Sequence, residues 1–346
     1  MKKIRIAQIG VTHEHAVGKM LSLKALPEVF EIAGYVNDLA LTKTPRLGET
    51  LHPCFHDLKS LSLEEVLCDP SIRAVTVEVP NDELVPFAMK FAEKGVAIHM
   101  DKPAGPDLML YRKLLALCKA KKIPFQMGFM FRSNPAFRFC LQAIRKKWIG
   151  EVSFIEADMN HCYGGEPYQD YIGKFPGGIM YNLGCHIIDF IVSAMGRPRK
   201  VTPFLRSASG YPASVKNNCL AVLEYPNAFA VVAACSKTSG NIDARMLRVN
   251  GDKGSLFVSP LEHFDGAAIE MELRLCEGNE VYPAGTHTLR FPPQKDRYAN
   301  QLTELAEVIR GEREVSFPLE HDDLVHEVTL AAAGLTAPSV SGRGCG

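Results

Sequence analysis

Short apolar runs alternate with helical patterns through the first third of the chain, and few folds accommodate that rhythm. Ile4–Ile9, Phe30–Val36, Ala74–Val79, Val96–Met100 and Pro124–Gly128 read as strands. Between them, His15–Leu26, Leu63–Cys68, Glu83–Lys94 and Asp107–Lys121 carry helical periodicity, punctuated by Pro27, Asp69-Pro70 and Gly95. Strand, helix, strand in repetition predicts a parallel sheet covered on both faces. Right-handed crossovers then make residues 1–124 a doubly wound, Rossmann-type α/β domain. After residue 128 the rhythm changes. Ala136–Lys147 and Gly178–Met195 read as helices, and Arg297–Arg310 and Leu319–Gly334 as closing helices. Val152–Asn160, Leu220–Glu224, Phe229–Ala234, Met246–Asn250, Ser255–Val258, Ile269–Cys276 and His287–Phe291 alternate like strands. Residues 125–338 therefore predict an α+β domain with an open, mostly antiparallel sheet. The small polar tail, 339–346, is expected to fray.

Composition narrows the function. Thirty-nine basic residues match thirty-nine acidic ones, so the formal net charge is zero. Bulk electrostatics gives no support to a nucleic-acid partner. No apolar run approaches the roughly 18 residues that span a bilayer. The opening Met-Lys-Lys-Ile-Arg-Ile is broken by Arg5 and lacks the apolar core of a signal peptide. The cytoplasm is the default expectation. Ten cysteines are scattered without a C-x-x-C pair, which argues against zinc ribbons and redox dithiols. Most are expected to be small buried hydrophobes.

In a doubly wound sheet, ligands bind at the carboxyl ends of the strands. Gly10, Asn37-Asp38, Pro80-Asn81 and Asp101-Lys102-Pro103 all fall at such ends. The first turn, Gly10-Val11-Thr12-His13-Glu14-His15, keeps only the first glycine of a dinucleotide G-x-G-x-x-G. The following helix start still offers unpaired N–H groups to a pyrophosphate, and Thr12 can add a hydroxyl donor. His13-x-His15 suggests a metal, but no carboxylate or cysteine cluster beside it is visible in the sequence, and no metal is expected. Asn37 and Asp38 stand where an acidic residue would bind ribose, with no arginine following for a 2′-phosphate; this leans towards NAD over NADP. A plain Asn-Asp turn is the alternative. Lys102 at a strand end is costly to bury unless it has a partner or a task; the alternative is a solvated loop lysine. In the segment from Gly177 to Asp189, Asn182 and His186 are four apart on a predicted helix, with Asp189 three beyond. Such a polar stripe needs satisfaction if buried, and histidine takes up a proton near neutral pH. A structural core histidine is the alternative.

Together these residues resemble the glucose–fructose oxidoreductase / inositol dehydrogenase / rhizopine catabolism (Gfo/Idh/MocA) family over nearly the whole length. The resemblance rests on Ile9-Gly10, Val79-Pro80-Asn81, the run from Ala92 to Pro103, Gly128-Phe129-Met130-Phe131-Arg132 and the Gly177-to-Asp189 segment. It implies a sugar, polyol or related carbonyl substrate, NAD or NADP as cofactor, and a homodimer or homotetramer built through the C-terminal sheet. By similarity Lys102 matches the family's catalytic lysine and His186 its catalytic histidine. Asn182 falls where many members carry aspartate, Asp189 matches the later acidic position, and Arg132 sits near the substrate-side wall. Thr12, His15, Asn182 and Asp101 depart from the family pattern. Two further readings accompany the dehydrogenase: an NAD-assisted glycoside-cleaving enzyme with no net redox, and a non-catalytic cofactor- or sugar-binding protein.

Overall fold

The computed structural model describes residues 2–42, 50–263 and 265–336. The tail expected to fray lies outside them. The structure falls into two compact units, residues 1–130 with 296–323, and residues 131–295 with 324–346. The first unit is thus discontinuous in sequence, whereas sequence reading draws one boundary after residue 124.

The first unit is a six-stranded parallel sheet in the order β3-β2-β1-β4-β5-β6. Its strands are β1 (Ile4–Ile9), β2 (Phe30–Val36), β3 (Ser60–Leu61), β4 (Ala74–Val77), β5 (Ala97–Met100) and β6 (Phe125–Met127). Helices α1 (Glu14–Lys24), α2 (Leu63–Cys68), α3 (Leu84–Lys94) and α4 (Leu108–Lys121) connect them. The strand order reverses between β1 and β4, which leaves a crevice at their carboxyl ends. Strands buried on both faces need continuous apolar runs, and Ile6, Ala7, Ile9, Val75 and Ile98 are fully buried. The returning segment contributes Tyr298, Leu302 and Ala306 to the cluster formed by Ile4, Ile6, Leu23 and Phe30.

The second unit holds α5 (Pro135–Arg145), β7 (Val152–Asp158), α6 (Gly165–Gly173), α7 (Cys185–Met195) and strands β8 to β14. These strands are β8 (Lys200–Arg206), β9 (Asn218–Glu224), β10 (Phe229–Cys235), β11 (Met246–Gly251), β12 (Gly254–Val258), β13 (Ile269–Leu275) and β14 (Gly285–Phe291). They form an eight-stranded sheet in the order β14-β13-β12-β11-β7-β10-β9-β8, and only β7 and β10 run parallel. Two helices close the chain, α8 (Ala299–Arg310) in the first unit and α9 (Leu319–Ala332) across the second boundary.

Period-two alternation separates the faces of the large sheet. Ile155, Ala221, Val232, Leu247 and Leu256 form a dry inner face. Register places Phe204, Leu220 and Ala233 in one row of the opposite face, and Thr202, Val222, Val231 and Glu156 in the next. Asp158 lies on that open face, paired in register with Ala233 and Met246. Burial, then the neighbouring charge of Glu156, raises its carboxyl to about 6.

The nine described cysteines are unbonded thiols; Cys54, Cys118, Cys140, Cys185 and Cys219 are buried, while Cys68, Cys162 and Cys276 are exposed. No helix among the described residues is long and apolar enough to cross a membrane.

The raised Asp158 carboxyl destabilises the fold once it ionises. Below about pH 3 it is neutral folded and unfolded; above about pH 6 the folded protein carries a charge it disfavours. Asp158→Asn is therefore expected to stabilise the protein by about 1 kcal/mol at pH 7.5, after discounting for solvent at this half-buried site, and by nothing at about pH 3. Urea denaturation at the two pH values measures the difference.

Candidate active site

The turn after β1 is shaped by crowding. Gly10 has φ +104°, and a Cβ there would lie 2.7 Å from the carbonyl carbon and oxygen of Glu78. Only glycine allows this approach. The turn is then tied to the end of β2. Asp38 Oδ1 accepts hydrogen bonds from the amides of Val11 (2.8 Å) and Thr12 (3.1 Å), and Oδ2 accepts from the Thr12 hydroxyl (2.6 Å). Asp38 is fully buried, whereas Asn37 is exposed and caps the amide of Leu39 at 3.0 Å. The expectation that Thr12 offers its hydroxyl to a phosphate is corrected: that hydroxyl donates to Asp38. The plain Asn-Asp turn describes Asn37 but not Asp38.

His13 caps α1, its Nδ1 accepting the His15 amide at 3.1 Å. A neutral ring in that state carries its proton on Nε2. His15 Nδ1 lies 2.7 Å from Asp101 Oδ2. The expectation that no carboxylate accompanies the histidine pair is also corrected, because the fold brings Asp101 from the end of β5. One donor atom each of His13, His15 and Asp101 lies within 4.8 Å of the others. The contact between His15 and Asp101 is invisible in sequence because 86 residues separate them. Burial works against the Asp101 charge, but His15, Lys102 and Lys19 outweigh it and hold the carboxyl well below its usual range. Burial pulls His15 below an ordinary histidine, against the pull of Asp101.

Lys102 is 2% exposed, which removes the solvated-loop alternative. Asn81 is 1% exposed, and neither atom of its amide has a hydrogen-bond partner. Asp101 Oδ1 is orphaned in the same way. Buried polar atoms without partners at the carboxyl edge of such a sheet fit a ligand rich in hydroxyl and amide groups. A nicotinamide dinucleotide is such a ligand. Pro80 lies beside Asn81 in the same buried stretch.

Beneath this edge lies a buried polar cluster that sequence reading missed. Lys19 Nζ is 3.3 Å from Glu78 Oε1, contacts His99 Nε2 and lies 4.4 Å from the Tyr298 ring centroid. His99 Nδ1 lies 2.8 Å from Gln126 Oε1. Burial pushes the Glu78 carboxyl up to about 8, with Lys19 pulling the other way. A signal was present: Lys19 follows Ala16 by three and precedes Leu23 by four, on the helix's core face.

In the second unit, Gly178 has φ +53°, and a Cβ there would lie 2.0 Å from the Lys216 carbonyl oxygen. The Gly-Gly turn thus lets the chain start its helix against another backbone, as the sequence suggested. The helix itself differs from expectation. Met180–Gly184 forms a π-helical turn before α7, so Asn182 and His186 straddle a change of pitch rather than sharing one α-helical face. Asn182, 5% exposed, accepts from the Tyr168 hydroxyl at 3.3 Å. His186, 2% exposed, meets the Phe131 ring edge-on at 5.8 Å. Arg132, expected near the substrate-side wall, clamps α7. Its Nη2 donates to Asp189 Oδ1 at 2.7 Å and its Nε to both carboxylate oxygens, with both side chains 5% exposed. A planar guanidinium matches a carboxylate in this two-point geometry.

Comparison with known proteins agrees with this geometry. Residues 21–129 match the profile of the oxidoreductase family with an NAD-binding Rossmann fold, and residues 137–257 match the GFO/IDH/MocA C-terminal domain. The chain belongs to the Gfo/Idh/MocA oxidoreductase family. Within it, the protein is 31% identical over 199 residues to the uncharacterized oxidoreductase YhhX of Escherichia coli, a match covering 56% of this sequence and 54% of that one. It is 24% identical to the inositol 2-dehydrogenase of Rhizobium meliloti, across 82% of this sequence and 83% of that one. Levoglucosan dehydrogenase, solved with NADH and levoglucosan, shares the fold at a TM-score of 0.77 and 16% identity, over 97% of this protein and 98% of that one. The family's cofactor is a nicotinamide dinucleotide, and the orphaned amide of Asn81 fits it.

Asp38→Ala removes three hydrogen bonds from the cofactor turn and leaves the Val11 and Thr12 amides without their partner. We expect a loss of about 2–4 kcal/mol in urea denaturation, with Asp38→Asn losing about half as much.

Proposed function

We propose that the protein is a dehydrogenase of a sugar or polyol, exchanging hydride between a carbinol carbon and NAD. The burial of Lys102 just past β5, at the same carboxyl edge of the sheet as the orphaned Asn81 amide, carries this reading. An ammonium held at a strand end strengthens its bond to the oxygen of a reacting hydroxyl as negative charge develops there. The nicotinamide ring supplies the hydride acceptor. Lys102 hydrogen-bonds the reacting oxygen, and His186 takes its proton as a general base. Asn182 orients the substrate, itself held by Tyr168. Arg132 and Asp189 fix the helix that carries His186. Asp38, with Asn37 beside it, favours ribose hydroxyls over a 2′-phosphate, because a carboxylate repels a phosphate; NAD is therefore the preferred cofactor. Gly10, Thr12 and His13 line the diphosphate side of the same turn, and Asp101 and Pro80 its inner edge.

The open sheet face supports assembly of identical subunits. Phe204 and Phe229 are 45% and 53% exposed on it, and Leu220, Val222 and Val231 share the face. A homodimer or homotetramer through this face buries them.

Screening wild type and variants against sugars and polyols by NADH absorbance tests the reaction. Lys102→Ala and His186→Ala are each expected to lower kcat/KM about 10²- to 10⁴-fold while leaving NAD affinity within about threefold. Near-wild-type turnover by either variant contradicts its assigned role.

A further inference from the structure

The segment between β7 and α6 presents an aromatic ring that is exposed yet held rigidly. Tyr163 is 39% exposed. One face stacks on His161, with ring centroids 3.8 Å apart and planes 19° apart. Its hydroxyl accepts a hydrogen bond from Arg245 Nη2 at 3.0 Å. Arg245 is 1% exposed; its Nη1 pairs with the buried Glu262, and its Nε donates to the Asn160 carbonyl at 3.1 Å. His161 Nδ1 also accepts the Tyr163 amide at 3.3 Å. An exposed tyrosine ordinarily gains nothing from such anchoring. Here a buried ion pair fixes its edge and a stacked imidazole backs one face.

The position of the ring connects it to the substrate side of the second unit. Tyr163 lies 6.0 Å, centroid to centroid, from Tyr168, whose hydroxyl donates to Asn182. The platform therefore stands one tyrosine away from a residue assigned to substrate.

We propose that Tyr163 is a stacking platform that selects ring-shaped polyols, pyranoses or cyclitols, over acyclic ones. The face of an aromatic ring is electron-rich. The axial C–H bonds on one side of a six-membered polyol ring present a flat, weakly positive surface that complements it. An acyclic polyol has no such face and loses rotational freedom if it flattens against one. Pre-fixing Tyr163 removes the ordering cost on the protein's side, so selectivity falls on substrate shape. This inference rests on the sugar or polyol reading of the site and names the shape of its substrate.

The test uses full-length protein with NADH present and three probes: myo-inositol, D-glucose and the acyclic polyol sorbitol. Saturation-transfer NMR on wild type is expected to label the ring C–H protons of at least one cyclic probe and to leave sorbitol weak. Tyr163→Ala should abolish that labelling, and Tyr163→Phe, which keeps the ring, should retain it. For a cyclic substrate that is turned over, Tyr163→Ala should raise KM about tenfold with kcat within about threefold, and Tyr163→Phe should keep both within about threefold. Equal labelling in Tyr163→Ala, or sorbitol labelled as strongly as the cyclic probes, overturns the platform while leaving a polyol dehydrogenase standing. Absence of labelling and turnover with every sugar and polyol overturns the sugar reading and the platform with it.

Discussion

One buried carboxylate organises the cofactor end of the protein. Asp38 receives the Val11 and Thr12 amides and the Thr12 hydroxyl, and so holds the turn after β1 against the end of β2. Gly10 makes that closure possible by lying against the Glu78 backbone, where no Cβ fits. A turn normally shaped by three glycines is here shaped by one glycine and one aspartate. The later glycine positions are free to become Thr12 and His15, because the carboxylate now does the positioning. Each replacement then acquires a partner: Thr12 bonds Asp38, and His15 bonds Asp101.

The same crevice rests on an unusual floor. Lys19, Glu78 and His99 are all fully buried, among sheet residues that are mostly apolar but include the buried Gln8 and Thr76. Burying such groups is tolerable only as a connected set, since a lone charge in this environment costs several kcal/mol. The cluster is coupled to the site by charge, since its Lys19 contributes to the charge balance at Asp101. Removing one member leaves the others uncompensated, which ties the stability of the Rossmann core to the electrostatics of the site.

Much of this was legible in the sequence. Fully buried parallel strands must be continuous apolar runs, so β1, β2, β4, β5 and β6 announced themselves. Strand ends then pointed to Gly10, Asp38, Asn81 and Lys102. Other features were hidden for physical reasons. The strand β8 contains Pro203, which lacks an N–H and reads as a breaker; it is tolerated because β8 is an edge strand. The helix α6 begins in Gly-Glu-Pro and looks like a loop, yet proline fits within a first helical turn. The π-helical turn at Met180–Gly184 has no compositional mark. The pairings Asp101 with His15, and Arg132 with Asp189, join residues 86 and 57 positions apart. Periodicity within a window cannot see such contacts, and they decide which polar side chains hold the structure and which remain for chemistry.

The central claim is that an aspartate-held turn with a single glycine remains a working dinucleotide site. Calorimetric titration of wild-type protein with NAD tests it most directly. Saturable binding of one NAD per subunit, tighter than binding of NADP, is the result this account predicts. Absence of saturable heat with either dinucleotide would contradict it.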